Sequence, residues 1–372
     1  MCDFDYITAY VLTEFEEQMK LTPQPMIWHG EGDVFTHTNM VVEALHQLPE
    51  YASLTQRQKH IVSIAALLHD IGKVRTTVDV SGEVEAPHHA PTGSRMAREL
   101  LWKHFGMCGK AELMQAREAI GLLIRYHSFP PHAIDIEDCK LRLHRIASNS
   151  LLAPDFTVSL LCLLSKADML GRKCDDQQQM LEQIALCEEL AREEGCLDGC
   201  YPFPSDATRR ALLSGQDVWK EQTLFDDTWG EVVLMSGLPG TGKDTWIARN
   251  IPDLPMISLD EIRRELKISP KAEQGTVANI ARAQAKEYLR RHRPFVWNAT
   301  NITTQLRESL ISLFETYHAR VRIVYLETDW QTLLERNRSR EAVVPQDAIE
   351  AMLGKMTVPE AHEARHVDWI CV

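Results

Sequence analysis

Residues 231–246 read EVVLMSGLPGTGKDTW, and this stretch decides the fold of the C-terminal half. Its apolar start, EVVLMSG, predicts a buried strand that leads directly into a glycine-rich loop. The glycines allow the backbone to curl until its N–H groups face phosphate oxygens, and the lysine adds a positive charge. The pattern predicts a loop that binds ATP or another nucleoside triphosphate together with Mg²⁺. The residues expected to contact this cofactor are Gly237, Gly240, Thr241, Gly242, Lys243, Asp244 and Thr245.

Asp244 departs from the usual pattern of such loops. A Ser or Thr normally follows the lysine, and its hydroxyl ligates Mg²⁺. In this chain Asp244 stands at that position and Thr245 follows one place late. Because a carboxylate can ligate Mg²⁺ directly or through water, we interpret the loop as a working site with a changed metal ligand.

Further short apolar runs follow the loop at regular intervals. PMISLD (255–260), PFVWNATN (294–301) and VRIVYLETD (321–329) are predicted strands, with helical segments between them. Strands that alternate with helices indicate a parallel α/β sheet. The first 200 residues instead carry long apolar patterns with helical period, such as HIVSIAALLHD (60–70). We therefore predict two domains, a helical domain over 1–200 and an α/β domain over 229–372, joined by a connector over 201–228.

Composition gives only broad limits on function. The chain has 372 residues, 44% of them hydrophobic and 25% charged, as in ordinary soluble proteins. Its acidic N-terminus and lack of a long apolar run predict a cytoplasmic protein without a membrane partner. Nine cysteines without a CxxC pair indicate reduced thiols. The net charge of −13 argues against a general nucleic-acid coat, although a local basic patch could still grip the end of a strand.

Two charged segments of the C-terminal half are candidates for phosphoryl transfer. Asp260 follows the second predicted strand, and Arg263 lies one helical turn later. The carboxylate can accept the proton of an attacking hydroxyl, and the arginine can hold an acceptor phosphate. The alternative for Asp260 is a helix N-terminus stabilised by an acidic residue. In LLERNRSREAVVP the arginines 336, 338 and 340 form either a solvated basic face or a lid over the nucleotide, and the spacing does not tell which arginine reaches in.

The segments GLPGTGKDT, SLDEIRREL, WNATN and LLERNRSREAVVP, in this order, resemble the 5′-hydroxyl polynucleotide kinase branch of P-loop phosphotransferases. The resemblance covers nearly all of the C-terminal domain. It implies that Asp260 is the general base for the 5′-hydroxyl, that Arg263 binds the adjacent phosphate, and that Arg336 and Arg340 contact the donor. Asn298 stands where an Asp is common in that family, which is a second departure.

The N-terminal half carries an ordered set of histidines and aspartates. Imidazole and carboxylate together suit divalent metals, and one carboxylate shared by two cations is common in phosphoesterases. Any one of these histidines alone would more often be a core or surface residue. The set indicates a metal site and consists of His37, His69, Asp70, His88 or His89, His127 and Asp168.

The same set resembles the HD phosphohydrolase superfamily, an all-helical fold, over most of residues 30–175. The resemblance implies metal ligation by His37, His69, Asp70 and Asp168. It also implies that His89 and His127 complete a site for two divalent transition-metal ions, His89 being preferred to His88 by its distance from Gly93. Lys73 and Arg172 flank the cluster, and we interpret them as phosphate contacts. The alternative for both is surface charge.

The whole chain resembles the bacterial bifunctional HD–polynucleotide kinase family, whose members heal nucleic-acid ends. The resemblance implies that the HD half removes a 2′,3′-cyclic, 2′ or 3′ phosphate, and that the kinase half phosphorylates a 5′-hydroxyl end, with RNA favoured. Two alternatives stay open. One is a nucleotide phosphohydrolase fused to a small-metabolite kinase, and the other is a nucleotide-sensing regulator.

Overall fold

The computed structural model describes residues 4–268, 275–340 and 342–372. The chain forms two compact units, Met1–Pro202 and Phe203–Val372. The predicted connector contains a helix, α11 (Asp206–Leu213), and from Phe203 onward it belongs to the second unit. There Arg210 pairs with Glu315 at 2.7 and 2.8 Å, so the helix is attached by specific contacts.

The first unit is helical, as predicted. Short 3₁₀ turns cover Pro130–Asp135 and Asn149–Leu151. Its α-helices are α1 (Phe4–Lys20), α2 (Val34–Gln47), α3 (Pro49–Ser53), α4 (Gln56–Leu68), α5 (Lys73–Thr76), α6 (His89–Lys103), α7 (Ala111–Tyr126), α8 (Cys139–Ser148), α9 (Val158–Leu170) and α10 (Gln177–Glu193).

Helices α2, α4 and α9 pack against one another at the centre of this unit. Helix α4 starts at a capping box of Thr55 and Gln58, and all residues from 61 to 68 are buried. A helix that is apolar on every side is stable only inside a core, so α4 is surrounded by the others. The cap of α2 is Asp33, whose side chain accepts from the Thr36 N–H at 2.8 Å. These caps fix where each helix starts, and hence where its polar side chains point.

A small antiparallel hairpin, β1 (Val78–Val80) and β2 (Glu83–Glu85), lies between α5 and α6. The sequence analysis did not predict it. Ser81 and Gly82 at its tip both have positive φ, the conformation of a tight two-residue hairpin turn. Three-residue strands with mostly exposed side chains give too little pattern to stand out from a loop.

The second unit contains a five-stranded parallel sheet in the order β4-β5-β3-β6-β7. Its strands are β3 (Glu231–Ser236), β4 (Met256–Ser258), β5 (Phe295–Asn298), β6 (Arg320–Glu327) and β7 (His366–Cys371). Its helices after α11 are α12 (Lys243–Asn250), α13 (Leu259–Leu266), α14 (Gly275–Arg290), α15 (Thr304–Thr316), α16 (Trp330–Arg338) and α17 (Gln346–Lys355).

The sheet buries both faces, as its parallel strands require. Alternate residues of β3 point to opposite sides, so that Val232 and Leu234 pack against α14 and α15 while Val233 and Met235 face Ile247 of α12. The predicted strands β3 to β6 are therefore confirmed, and so is the α/β fold of this half. The edge strand β7 was missed because its sequence, HVDWIC, mixes polar and apolar residues and is only half-buried.

Among the described residues, no helix combines the length and apolarity needed to cross a membrane.

The core of the second unit predicts that substitutions at two positions on α15 differ in their effect on the free energy of unfolding. Phe314 is fully buried and makes an edge-to-face contact with Phe295, with ring centroids 5.5 Å apart. Phe314→Ala should lower the free energy of unfolding by about 3–5 kcal/mol through the cavity it leaves. Leu306→Ala, on the exposed side of the same helix, should change it by no more than about 0.5 kcal/mol. Urea denaturation measures both, and equal effects would contradict the assignment of the core face.

Candidate metal centre and candidate nucleotide site

The first unit brings the predicted metal ligands together from five helices. His37 lies on α2, His69 and Asp70 follow α4, and Asp168 lies on α9. His89 is the first residue of α6, and His127 directly follows α7. Among the groups of described residues whose ligand atoms all lie within 4.8 Å of one another, two share Asp70. They are His37, His69 and Asp70, and Asp70, His89 and His127.

The two carboxylate oxygens of Asp70 face different pairs of imidazoles. Its Oδ2 lies 3.5 Å from Nε2 of His37 and 3.4 Å from Nε2 of His69. Its Oδ1 lies 3.5 Å from Nε2 of His89 and 3.9 Å from Nε2 of His127. This is the arrangement needed for one carboxylate to bridge two cations.

The surroundings of Asp70 fit a bound cation. Both oxygens are buried, and neither forms a hydrogen bond with the part of the chain that the structure describes. The Lys73 Nζ lies 2.7 Å from Oδ2. Burial alone would raise the pKa of Asp70, but the charges of Lys73 and His69 outweigh it and hold that pKa well below its usual range. Lys73 offsets charge at Oδ2 only, while Oδ1 is buried without a hydrogen bond, and divalent metal ions would satisfy the carboxylate fully.

Backbone carbonyls set the orientation of three of the imidazoles. Nδ1 of His69 lies 2.8 Å from the Ala66 carbonyl oxygen, and Nδ1 of His127 lies 2.7 Å from that of Ile124. His89 has the same arrangement with the carbonyl of Ala86 at 3.0 Å. With Nδ1–H donating to these oxygens, each Nε2 would be free to ligate a metal ion beside Asp70.

The protonation of His127 agrees with a ligand role. Burial lowers the pKa of His127 to about 3, and the charges of His69 and His89 act in the same direction. The imidazole is therefore neutral near pH 7, which metal ligation requires. The neighbouring His88 is exposed, with φ of 56°, and only His89 of this pair faces Asp70.

Lys73 and Arg172, the predicted phosphate contacts, both touch carboxylates of the centre. Arg172 donates to both oxygens of Asp168, from Nε at 3.1 Å and from Nη2 at 2.7 Å. Lys73 donates to Oε1 of Gln24 at 2.6 Å besides its contact with Asp70. Both cations therefore border the metal ligands, while contact with a phosphate stays a prediction.

Sequence reasoning missed two residues beside the centre, His29 and Glu31. Nδ1 of His29 lies 2.8 Å from Oε1 of Glu31, and Nδ1 of His37 lies 2.9 Å from the same oxygen. The Glu31 side chain is fully buried. Burial lowers the pKa of His29 to about 4, although the contact with Glu31 opposes this. The segment HGEG gave no helix or strand pattern, so nothing in the sequence placed it next to α2.

In the second unit the glycine-rich loop has the strand–loop–helix context that its motif needs. β3 ends at Ser236, and α12 begins at Lys243. Gly237 and Gly240 have φ of 139° and 85°, which disfavour any residue with a side chain. A Cβ at Gly237 would also lie 2.5 Å from the Leu326 carbonyl oxygen. The loop can therefore form only with glycine at these positions.

Lys243 points into the loop. Its Nζ donates to the carbonyl oxygens of Gly237 and Leu238, both at 2.9 Å. Burial lowers the pKa of Lys243 to about 8, with Asp244 acting in the opposite direction. The Thr241 hydroxyl is buried and donates to the same Leu238 carbonyl at 2.9 Å, so it braces the loop. Thr245 is exposed on the first turn of α12.

The two departures noted in the sequence form one hydrogen-bonded pair. Asn298 ends β5, the neighbour of β3, and its Nδ2 donates to Oδ1 of Asp244 at 2.6 Å. Asn298 is buried, whereas Asp244 is exposed. The strand therefore ends in an amide, and the carboxylate of this pair stands on the loop. Its oxygens are hard ligands of the kind that suit Mg²⁺.

Asp260 and Arg263 lie together on α13, which Ser258 caps through its contact with the Glu261 N–H. Arg263 donates to Asp260. The Nη2 of Arg340 lies 3.7 Å from the other Asp260 oxygen. The Asp260 side chain is 65% exposed, so a substrate hydroxyl can reach it.

The structure separates the three arginines that spacing left equivalent. A Cβ added at Gly242 would lie 3.4 Å from Nη1 of Arg336, which places this arginine beside the loop. Arg340 contacts Asp260, while Arg338 is exposed. Asn337 holds the following segment through two hydrogen bonds with the Val344 backbone, at 2.7 and 3.1 Å. Sequence analysis did not single out Asn337.

Comparison with protein families agrees with the fold predicted for each half of the chain. A model of the HD domain matches residues 34–149, and a model of an AAA domain matches residues 232–359. The chain thus carries an N-terminal HD domain and a C-terminal P-loop, kinase-like domain. The first match includes His37 to His127 and ends before Asp168, and the second includes the loop, Asp260 and the arginines.

Asp70→Asn should weaken binding of divalent metal by more than about 100-fold, beyond the 10–100-fold typical of residues that only support a ligand. The amide keeps the shape of the side chain but removes the charge that faces both imidazole pairs. Titration calorimetry with Mn²⁺ on chelator-treated protein measures the effect. Asp79→Asn, on the exposed hairpin, should leave the affinity unchanged. Metal binding by Asp70→Asn at wild-type affinity would contradict the assignment.

The Asp244–Asn298 pair predicts a specific pattern of coupling. Asp244→Ala should weaken Mg²⁺-dependent ATP binding, and Asp244→Ser should retain much of it because a hydroxyl can also ligate Mg²⁺. Asn298→Asp alone should impair binding, since it places a second carboxylate against Asp244. The double variant Asp244→Ser/Asn298→Asp should bind better than Asn298→Asp alone. Calorimetry with and without Mg²⁺ tests this, and full Mg²⁺-dependent binding by Asp244→Ala would show that the metal is held elsewhere.

Proposed function

We propose that this protein is a bifunctional nucleic-acid end-healing enzyme. Its P-loop domain would transfer the γ-phosphate of ATP or another nucleoside triphosphate to a 5′-hydroxyl end. Its HD domain would remove a 2′,3′-cyclic, 2′ or 3′ phosphate. The observation that carries this proposal is an exposed acidic residue, Asp260, paired with two arginines beside a P-loop. The same chain also has a buried cluster of histidines and aspartates that could hold metal ions.

The P-loop domain has a residue for each requirement of phosphoryl transfer. Asp260 would accept the proton of the 5′-hydroxyl. At the same time the hydroxyl oxygen would attack the γ-phosphorus, and the bond from that phosphorus to the oxygen that bridges it to the β-phosphate would break. Arg263 would release Asp260 to hold the phosphate next to that hydroxyl. Lys243 and the loop N–H groups would bind the donor, and Arg336 and Arg340 would offset charge on the transferred group.

A donor-bound Mg²⁺ would offset charge on the phosphate oxygens, with Asp244 as the protein residue placed to hold it. A nucleotide sensor would not need an acceptor base. The open position of Asp260, together with its two arginines, therefore favours an enzyme over a regulator.

The HD centre supports hydrolysis of a phosphoester. Divalent transition-metal ions there would supply Lewis acidity and lower the pKa of water. The residues expected to hold them are His37, His69, Asp70, His89, His127 and Asp168. Lys73 and Arg172 border this set and would bring positive charge to the phosphate oxygens.

The two chemistries together suit a broken RNA strand. Many ribonucleases leave a 2′,3′-cyclic phosphate on one side of a break and a 5′-hydroxyl on the other, and ligation needs the opposite arrangement. The HD domain would remove the cyclic phosphate from one end, and the P-loop domain would phosphorylate the 5′-hydroxyl of the other. RNA ends are therefore the favoured substrate.

One incubation tests both halves. A 5′-hydroxyl RNA that carries a 2′,3′-cyclic phosphate is mixed with the protein, ATP and a panel of divalent metals, and both ends of the product are read. The proposal expects a new 5′-phosphate and loss of the cyclic phosphate. Phosphorylation of free nucleosides or other small metabolites, with none of the RNA end, would instead indicate a metabolite kinase fused to a nucleotide phosphohydrolase.

The two activities should be separable by single substitutions. Lys243→Ala should abolish transfer to the 5′-hydroxyl and spare removal of the 2′,3′-phosphate, because it removes a charge inside the P-loop. His69→Ala should have the reverse effect. End analysis of the same RNA measures both activities, and circular dichroism checks folding. Loss of both activities in either folded variant would contradict the two-site assignment.

A further inference from the structure

We infer that Glu31 is a positioning residue of the metal centre that orients His37 for ligation. It is not one of the predicted ligands, and it precedes the region matched by the HD domain model. The inference rests on the metal centre and is independent of which phosphoester the domain hydrolyses.

The two nitrogens of the His37 imidazole face different partners. Nε2 faces the centre, 3.0 Å from Oδ1 of Asp168 and 3.3 Å from Nε2 of His69. Nδ1 faces away from it, 2.9 Å from Oε1 of Glu31 and 3.3 Å from the carbonyl oxygen of Gly171. At Nδ1 a carboxylate is the stronger acceptor and here also the nearer one, so Glu31 favours a proton on this nitrogen. With the proton on Nδ1, Nε2 would be free to ligate a metal ion at the centre.

His37 differs in this respect from the other three imidazoles. Those of His69, His89 and His127 each place Nδ1 next to a backbone carbonyl. A carboxylate partner raises the basicity of a ligating imidazole more than a neutral carbonyl does. Among the described histidines of the centre, His37 is thus the one whose ligand strength depends on a charged partner.

Glu31 could in principle be a ligand itself, because His29, Glu31 and His37 also lie close enough together to hold an ion. Its hydrogen bonds argue against this. Oε1 lies 2.8 Å from Nδ1 of His29 as well as 2.9 Å from that of His37, and Oε2 accepts from the Lys173 backbone N–H at 3.0 Å. N–H groups therefore face both oxygens, and the carboxylate points to the side of His37 opposite Asp168.

The backbone holds Glu31 firmly in this place. The Gly30 N–H donates to the Lys173 carbonyl at 3.0 Å, next to the bond from Lys173 to Glu31. A Cβ at Gly30 would lie 2.9 Å from the same carbonyl oxygen, so the close approach needs glycine. Lys173 follows α9, which carries Asp168, so Glu31 and this ligand are fixed to the same part of the fold.

Glu31 is also linked to the opposite side of the centre. His29 receives the carboxylate contact at Nδ1, and its Nε2 lies 3.5 Å from Nζ of Lys73. Lys73 in turn contacts Oδ2 of Asp70 at 2.7 Å. A single buried carboxylate is therefore connected to two predicted ligands, to His37 directly and to Asp70 through His29 and Lys73.

The test compares Glu31→Gln with the wild-type full chain by metal binding alone. Gln keeps the size of the side chain but removes its charge. Mn²⁺ or Zn²⁺, added singly to chelator-treated protein, should bind about 10–100-fold more weakly, with the same number of ions at saturation. Glu43→Gln, the same change on the exposed side of α2, should bind like the wild type.

A second readout reports on the imidazole itself. In metal-free protein labelled with ¹⁵N-histidine, Nδ1 of His37 should carry a proton in the wild type and lose proton occupancy in Glu31→Gln, where Asp168 beside Nε2 is the remaining carboxylate. Glu31→Asp keeps the charge but draws it back from His37, so its metal affinity should fall between those of the other two proteins. This variant also carries the test if Glu31→Gln does not fold.

Three results would overturn the inference. Saturation with one ion fewer in Glu31→Gln would make Glu31 a ligand. Unchanged affinity in both variants would remove any role in metal binding. A weaker affinity in Glu31→Gln with unchanged protonation of Nδ1 of His37 would assign the effect to packing.

Discussion

The buried carboxylate of Asp70 is the constraint on which the helical unit depends. Its two oxygens face two pairs of imidazoles, and those imidazoles come from helices that are distant in sequence. A charge in this position is tolerated only when cations surround it. The packing of α2, α4, α6 and α7 around that point therefore serves the centre as well as the core, and a ligand displaced from any one of them leaves part of the charge uncompensated.

The two candidate sites handle charge in opposite ways. Asp70 is buried and is held by groups of its own domain before any substrate arrives. Asp260 is exposed and contacts Arg263 and Arg340, which would have to release it in the proposed reaction. A metal centre gains from a preformed, dry environment, because its ligands must stay fixed. The proposed role of Asp260 as a base would gain from this exposure, because the end of a large molecule would have to reach it.

Much of this could be predicted from the sequence, and the reason differs from element to element. β3 to β6 and the loop were found because buried strands and glycine turns leave strong local patterns. β7 and the hairpin were missed because short, half-exposed strands leave weak ones. The candidate metal ligands could be identified through a family pattern. Glu31 could not, since its proposed role depends on the fold bringing HGEG against α2 and Lys173.

The hydrogen bond from Asn298 to Asp244 is another feature that the sequence alone could not predict. Each residue could be seen in the sequence as an exception, but only the pairing of β3 with β5 makes them partners. The effect of a mutation at either position would then depend on the residue at the other. The two positions should therefore vary together among relatives. A sequence motif that requires Ser or Thr after the lysine would not detect chains with Asp at that position. A motif that evaluates the loop residue and the residue at the end of β5 together would detect them.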